Sequence, residues 1–251
     1  MQILALDFDG VISDSAGEAF RVALRTWRTL RPETPLSDGC EEDPELYRRF
    51  LAAMPLGNRA EDYGVILAAL EEGVSLDDQC AYDAFYRRED VEQLRAFHRR
   101  FYRERSAWAE RDPEGWLKLM GPYPGICPLL RRHAHEVRLA IATAKDRHSV
   151  RRLLEAYGIG DLFGEDAVLD KETGVHKSSH MEHLARAWKV PCPQITFIDD
   201  KVNHLDEVAR LGVRCVLAAW GYNGEREHRA ARAAGHRVCT LEDLEDQLFG
   251  G

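Results

Sequence analysis

Two acidic pairs are the strongest chemical signal in the chain. Asp7 and Asp9 stand in D-F-D-G directly after the apolar run ILAL, and Asp199 and Asp200 follow a second apolar run, QITFI. Short runs of this kind read as buried strands, and residues two apart on a strand point the same way. Asp7 and Asp9 are therefore expected on one side of a strand end. A single aspartate there could merely cap the following turn. Two in D-x-D-G read as chemistry. Carboxylates ~4 Å apart repel by about 4 kcal/mol at an effective dielectric of roughly 20. If the two strand ends meet, the cluster needs a cation, and hard carboxylate oxygens suit Mg²⁺.

Thr143 and Lys177 are weaker signals. Thr143 ends the run VRLAIAT, but threonine is common in strands and at helix starts. Lys177 precedes S-S-H-M-E, in which Ser179 and Glu182 fit an S-x-x-E capping box. That box places Lys177 at a helix N-terminus, where the dipole and an ammonium both favour an anion. Lysine is scarce here, with only Lys118, Lys145, Lys171, Lys177, Lys189 and Lys201. Lys145, two residues after Thr143, is a rival cation; the helix-start position favours Lys177.

The elements that must position these residues have two textures. From about residue 125 onward, strand-like runs (137–143, 167–169, 194–199 and 213–218) alternate with helical stretches. This alternation predicts a parallel sheet with helices on its faces. The run 3–9 has the same buried-strand character and is expected to join that sheet. Ligands bind open sheets of this class at the carboxyl ends of the strands, where all four acids fall. Residues 16–121 carry helical patterns instead. Leu94, Phe97, Phe101 and Trp108 form a stripe that reads as a helical core face. The arginines of 87–112 alternate with acids and read as a solvated, ion-paired face.

Composition narrows the function. The 251 residues carry a formal net charge of -9, with 45% hydrophobic and 31% charged residues. That balance suits a soluble globular protein and argues against nucleic-acid binding by bulk charge. The apolar runs are shorter than the ~20 residues of a membrane span. Asp7 interrupts the opening MQILALDFDG, so no signal peptide is expected. Cys40, Cys80, Cys127, Cys192, Cys215 and Cys239 show no C-x-x-C pair and read as reduced thiols of a cytoplasmic protein. His176, His180 and His183 read as surface histidines, and Gly158, Gly160 and Gly164 as a helix end and turn rather than a phosphate loop.

In order along the chain, D-F-D-G-V-I-S-D-S, the strand ending in Thr143, Lys177 and F-I-D-D resemble the four motifs of the haloacid dehalogenase-like (HAD) superfamily. The resemblance covers residues 1–15 and about 122–220. It implies a doubly wound, Rossmann-like α/β core domain (1–15 and 122–251) with an inserted all-helical cap of type 1 (16–121). Substrate is expected between the two. It further implies that Asp7 is a nucleophile forming an aspartyl-phosphate and that Asp9 is the general acid and then base. Thr143 and Lys177 would grip the phosphoryl oxygens. Asp7, the backbone carbonyl of Asp9 and Asp200 would hold Mg²⁺, with Asp199 as a ligand or just behind it. With Asp9 protonated, three carboxylates are then balanced by the divalent ion and Lys177.

An acid at Asp9 separates the phosphatase and phosphomutase branches from the metal-free dehalogenases. Two positions depart from the family pattern. His204, four after Asp200, stands where many relatives place an acid, and Ser178 follows the lysine where proline is frequent. The expected function is Mg²⁺-dependent hydrolysis of a small phosphorylated metabolite, with no nucleic-acid or membrane partner. A phosphomutase with the same core, or a non-catalytic phosphate-binding module, are the alternatives. A receiver domain is disfavoured because its acid pair and phosphoacceptor lie on different strands.

Overall fold

The computed structural model describes residues 2–36, 39–57, 59–170, 172–174 and 176–250. The chain divides into two compact units, Met1–Asp14 with Gly121–Gly251, and Ser15–Met120.

The first unit is built on six parallel strands: β1 (Gln2–Leu6), β4 (Val137–Ala142), β5 (Val168–Leu169), β6 (Ile195–Asp199), β7 (Arg214–Ala218) and β8 (Arg237–Cys239). Their order is β5-β4-β1-β6-β7-β8. Taken in chain order this is the doubly wound 3-2-1-4-5-6 pattern, whose winding reverses beside the first strand. β1 is therefore central, paired with β4 on one side and β6 on the other. Ile3, Leu4, Ala5 and Leu6 are buried, as the unbroken apolar run requires of a strand covered on both faces. The helices α7 (Ile126–His133), α8 (Arg147–Ala156), α9 (Lys177–Trp188), α10 (Val202–Ala209), α11 (Glu225–Ala233) and α12 (Leu244–Phe249) fall between or after the strands. A short antiparallel pair, β2 (Ser13–Asp14) and β3 (Gly121–Pro122), ties together the two chain segments that flank residues 15–120.

Three expectations need correction. β1 ends at Leu6, so Asp7 and Asp9 lie in the turn beyond it and not on one face of a strand. The chain turns at Gly10, at φ +82, a backbone region open mainly to glycine. It folds back so that Ile12 and Ser13 both donate to the Phe8 carbonyl, at 3.0 and 2.9 Å. The capping box also does not form: α9 begins at Lys177, with His176 at the cap position and no side-chain cap. His180 is 2% exposed and not at the surface.

The second unit is helical: α1 (Ala16–Leu30), α2 (Pro44–Ala53), α3 (Ala60–Glu72), α4 (Gln79–Tyr86), α5 (Val91–Arg111) and α6 (Pro113–Lys118). Asp90 caps α5 by accepting from the Glu92 and Gln93 amides at 2.7 and 3.2 Å, which satisfies two of the otherwise orphan donors. The Leu94, Phe97, Phe101 and Trp108 stripe is buried. One carboxylate, Glu18 on α1, is wholly buried among these apolar groups. Arg105 donates to it through both arms, at 2.7 and 2.6 Å, and the Trp116 indole donates at 3.2 Å.

A buried carboxylate stripped of its guanidinium retains the full cost of desolvation. Arg105→Ala is therefore expected to destabilise this unit by about 3 kcal/mol, read from denaturant unfolding. A change within ~0.5 kcal/mol, the usual size for surface substitutions, would mean that the pair is not a buried strut.

Candidate active site

The sheet topology brings the two acid pairs together. Asp7 leaves β1, and Asp199 ends β6, the neighbouring strand across the point where the winding reverses, with Asp200 just beyond it. The Asp7 amide donates to the Ile198 carbonyl at 2.9 Å, holding the chain against β6 past the end of the strand. Asp7, Asp199 and Asp200 are 8%, 0% and 1% exposed. Thr143 follows β4, on the other flank of β1, and is itself buried.

Lys177 organises this cluster. Its ammonium lies 2.9 Å from Asp7 Oδ1 and 3.4 Å from Asp199 Oδ2, and it donates to the Ala142 carbonyl at 2.6 Å. The three donors of a lysine are thereby directed at three acceptors. Burial opposes the charged form of Lys177, but Asp7 and then Asp199 outweigh it and hold its pKa above the ordinary value. Burial pushes the Asp7 carboxyl up while Lys177 pulls it back. Asp199 is buried too, yet His204 and then Lys177 hold it below the usual carboxylate range. It accepts from the Lys201 amide at 2.9 Å and from His204 Nδ1 at 3.0 Å.

Asp200 is treated differently. Burial, then the charge of Asp199, raises it to about 8, with Lys201 opposing. Its Oδ2 accepts from the Tyr222 amide at 2.9 Å. A dry carboxyl at this strand end stays ionised near neutral pH only if a cation reaches it. The hard carboxylate oxygens of Asp7 and Asp200 are of the donor type that a divalent ion such as Mg²⁺ takes. Asp7, Asp199 and His204 also bring one ligand atom each within 4.8 Å of the others. Asp7 and Asp199 are each ion-paired with Lys177, and Asp199 also with His204.

Asp9 meets a second cation. Lys145 Nζ lies 3.0 and 3.2 Å from its two carboxylate oxygens. Both lysines thus reach acids of the cluster, each with its own partner. The Thr143 hydroxyl accepts from the Lys145 amide at 3.1 Å, which leaves its proton available for donation. His180 is pushed down to about 4 by burial and then by Lys177. It is therefore neutral, and its Nε2 bonds the Asp170 and Gly174 carbonyls at 3.1 and 2.9 Å. It fixes the stretch just before α9 and so helps to aim Lys177.

A loop after β7, Trp220–Gly224, was not singled out from the sequence and presses on the site throughout. Tyr222 donates its amide to Asp200, and Asn223 Nδ2 donates to the Asp200 and Ala218 carbonyls at 2.9 Å each. The Trp220 indole donates to the Val11 carbonyl at 3.0 Å. Gly221 makes the approach possible, because a Cβ there would lie 2.3 Å from Asp200 Cβ and 2.4 Å from the Gly10 carbonyl oxygen. The legible signal is W-G-Y-N-G at the carboxyl end of a strand, where sheets of this class place their ligands.

Gly221→Ala is accordingly expected to cost about 1–3 kcal/mol through overpacking, measured by denaturant unfolding. An unchanged midpoint would show that the loop does not press on Asp200.

Residues 1–212 match the model of the haloacid dehalogenase-like hydrolases. A tyrosine-protein kinase PtkA of Mycobacterium tuberculosis (strain ATCC 25618 / H37Rv) is 27% identical over 255 residues, covering 98% of this chain and 72% of the relative. Among solved structures, the haloacid dehalogenase-like protein SP0104 from Streptococcus pneumoniae aligns with a TM-score of 0.69 at 14% identity, over 100% of this chain and 99% of that one. A protein described as a predicted phosphoglycolate phosphatase from Haemophilus somnus 129PT aligns with a TM-score of 0.68 at 18% identity, over 97% and 96%. The ordered motifs, the doubly wound sheet and the match over residues 1–212 agree, and the chain belongs to the haloacid dehalogenase-like hydrolase family.

Proposed function

We propose that the chain is a Mg²⁺-dependent phosphatase that hydrolyses a small phosphomonoester through an aspartyl-phosphate on Asp7. The observation that carries this reading is the buried Asp7–Lys177 pair, 2.9 Å apart, beside an Asp200 whose carboxyl is raised to about 8. A nucleophilic carboxylate must be ionised and must still accept an anionic phosphoryl group. Lys177 serves both needs, neutralising Asp7 before the reaction and the phosphoryl oxygens during it. The Thr143 hydroxyl would donate to the same oxygens. Asp7, the Asp9 backbone carbonyl and Asp200 would hold Mg²⁺, which supplies positive charge against the phosphoryl oxygens. Asp199 serves as the anchor of Lys177 and His204 rather than as a direct ligand.

Asp9 gives a proton to the departing alcohol oxygen as the phosphorus–oxygen bond of the ester breaks. It then takes one from the water that attacks the phosphoryl group on Asp7. A second reading takes its support from the relative named a tyrosine-protein kinase: the phosphoryl group on Asp7 would pass to a hydroxyl instead of water.

With Mg²⁺ and a panel of phosphorylated metabolites, the wild type is expected to release inorganic phosphate and Asp7→Asn to release none. Phosphate release by Asp7→Asn at the wild-type rate would overturn the mechanism. Phosphate recovered on an added tyrosine peptide would favour the second reading.

Titration of Asp200 gives a second test. Its folded-state pKa of about 8 lies above the ordinary 3.8. The stability gained from holding it protonated is complete below 3.8 and is lost as the pH rises through 8. A divalent ion needs the ionised carboxylate. Mg²⁺ is therefore expected to raise the Tm more at about pH 8 than at about pH 5. An equal shift at both, or none, would remove Asp200 from the ligand set.

A further inference from the structure

Lys145 lies outside the roles assigned above, and its placement is unusually constrained. Its amide donates to the Thr143 hydroxyl at 3.1 Å. The next residue, Asp146, caps α8 by accepting from the Ser149 amide at 2.9 Å. The Arg147 amide donates to Asp170 at 3.1 Å. Three successive residues are thus tied to three separate points, and the lysine stem is delivered from a fixed backbone. The Lys145 side chain is 3% exposed and the Asp9 side chain 31%. One end of the pair is dry and anchored; the other opens to solvent and to whatever must exchange a proton with it. The ammonium spans both Asp9 oxygens, at 3.0 and 3.2 Å. A contact to both oxygens restrains the carboxylate more tightly than a contact to one would.

We propose that Lys145 is a positioning residue for Asp9 in the second half-reaction, a role that rests on the aspartyl-phosphate reading. In that step the water oxygen bonds to phosphorus. The bond from phosphorus to the Asp7 oxygen breaks, and its electron pair returns to the Asp7 carboxylate. The water proton passes to Asp9. The base must be aimed at the water line of attack, and a displacement of about 1 Å costs on the order of a hundredfold. Lys145 supplies the aim. Lys177, bound to Asp7, Asp199 and the Ala142 carbonyl, serves the phosphoryl group and is not available for it.

The test uses a nitrophenyl phosphate, whose leaving group departs without a proton, so the first half-reaction is freed from Asp9. Rapid-quench kinetics then separate the two steps. Lys145→Met is expected to form the phosphoenzyme within about threefold of the wild-type rate, while steady-state turnover falls about a hundredfold. A burst near one equivalent of nitrophenolate then precedes the slow phase. Lys145→Arg, whose planar fork can also span a carboxylate, is expected to recover much of the steady-state rate. Lys145→Gln is measured alongside, with circular dichroism to identify folded variants. A slowed first turnover without a burst would mean that Lys145 acts on phosphoryl transfer itself and would overturn the proposal. An unchanged steady state in Lys145→Met or Lys145→Gln would overturn it equally. A wild type that forms no phosphoenzyme would overturn the aspartyl-phosphate reading and this proposal together.

Discussion

Everything in the site depends on how negative charge is tolerated at the carboxyl ends of β1 and β6. Asp7, Asp199 and Asp200 are almost fully buried there. Water cannot stabilise them, so each needs its own partner. Lys177 answers for Asp7 and Asp199 together, His204 adds to Asp199, and the Asp200 carboxyl accepts from the Tyr222 backbone amide of the Trp220–Gly224 loop. The same burial that makes the cluster costly makes it useful. Charge–charge interactions are stronger in a dry site, and under the proposed function an incoming phosphoryl group would meet fixed donors rather than reorganising solvent.

The fold serves this arrangement at several removes. The reversal of winding places the ends of β1 and β6 side by side, so residues nearly two hundred positions apart become neighbours without any long loop. Gly10 then turns the chain sharply enough for Asp9 to face Lys145 from beyond the strand. Gly221 lets the following loop close on Asp200 and on Gly10 at once. These two glycines are packing requirements of the site, and neither contributes a functional group. His180 acts in a similar supporting way, spending its imidazole on two carbonyls of the stretch before α9.

Much of this was legible in the residues. Buried strands announce themselves as short apolar runs, and the acids that end them are conspicuous because they are so costly there. The alternation of strand and helix after residue 125 led to a parallel sheet, and the stripe from Leu94 to Trp108 led to a helical core. Other features depend on three-dimensional neighbours and leave little trace in one dimension. Lys145 and Lys177 looked like competitors because spacing cannot say which acid each will meet. His180 looked like a surface residue because its two carbonyl partners come from a turn, not from a motif. The W-G-Y-N-G loop has little one-dimensional signal because it reaches Asp200 through one backbone amide, one asparagine side chain and the close packing of Gly221, none of which forms a recognisable spacing. The missing capping box has a similar cause: α9 starts two residues before Ser179, at Lys177 itself.

The central claim is that Asp7 is transiently esterified by phosphorus. It is tested most directly by quenching the enzyme in acid during turnover and reducing the acyl phosphate with borohydride. The converted residue is then located by peptide mass spectrometry. Conversion of Asp7 to homoserine is the result this account predicts. Turnover with Asp7 left intact, or with the reduced residue found at Asp9, Asp199 or Asp200, would contradict it.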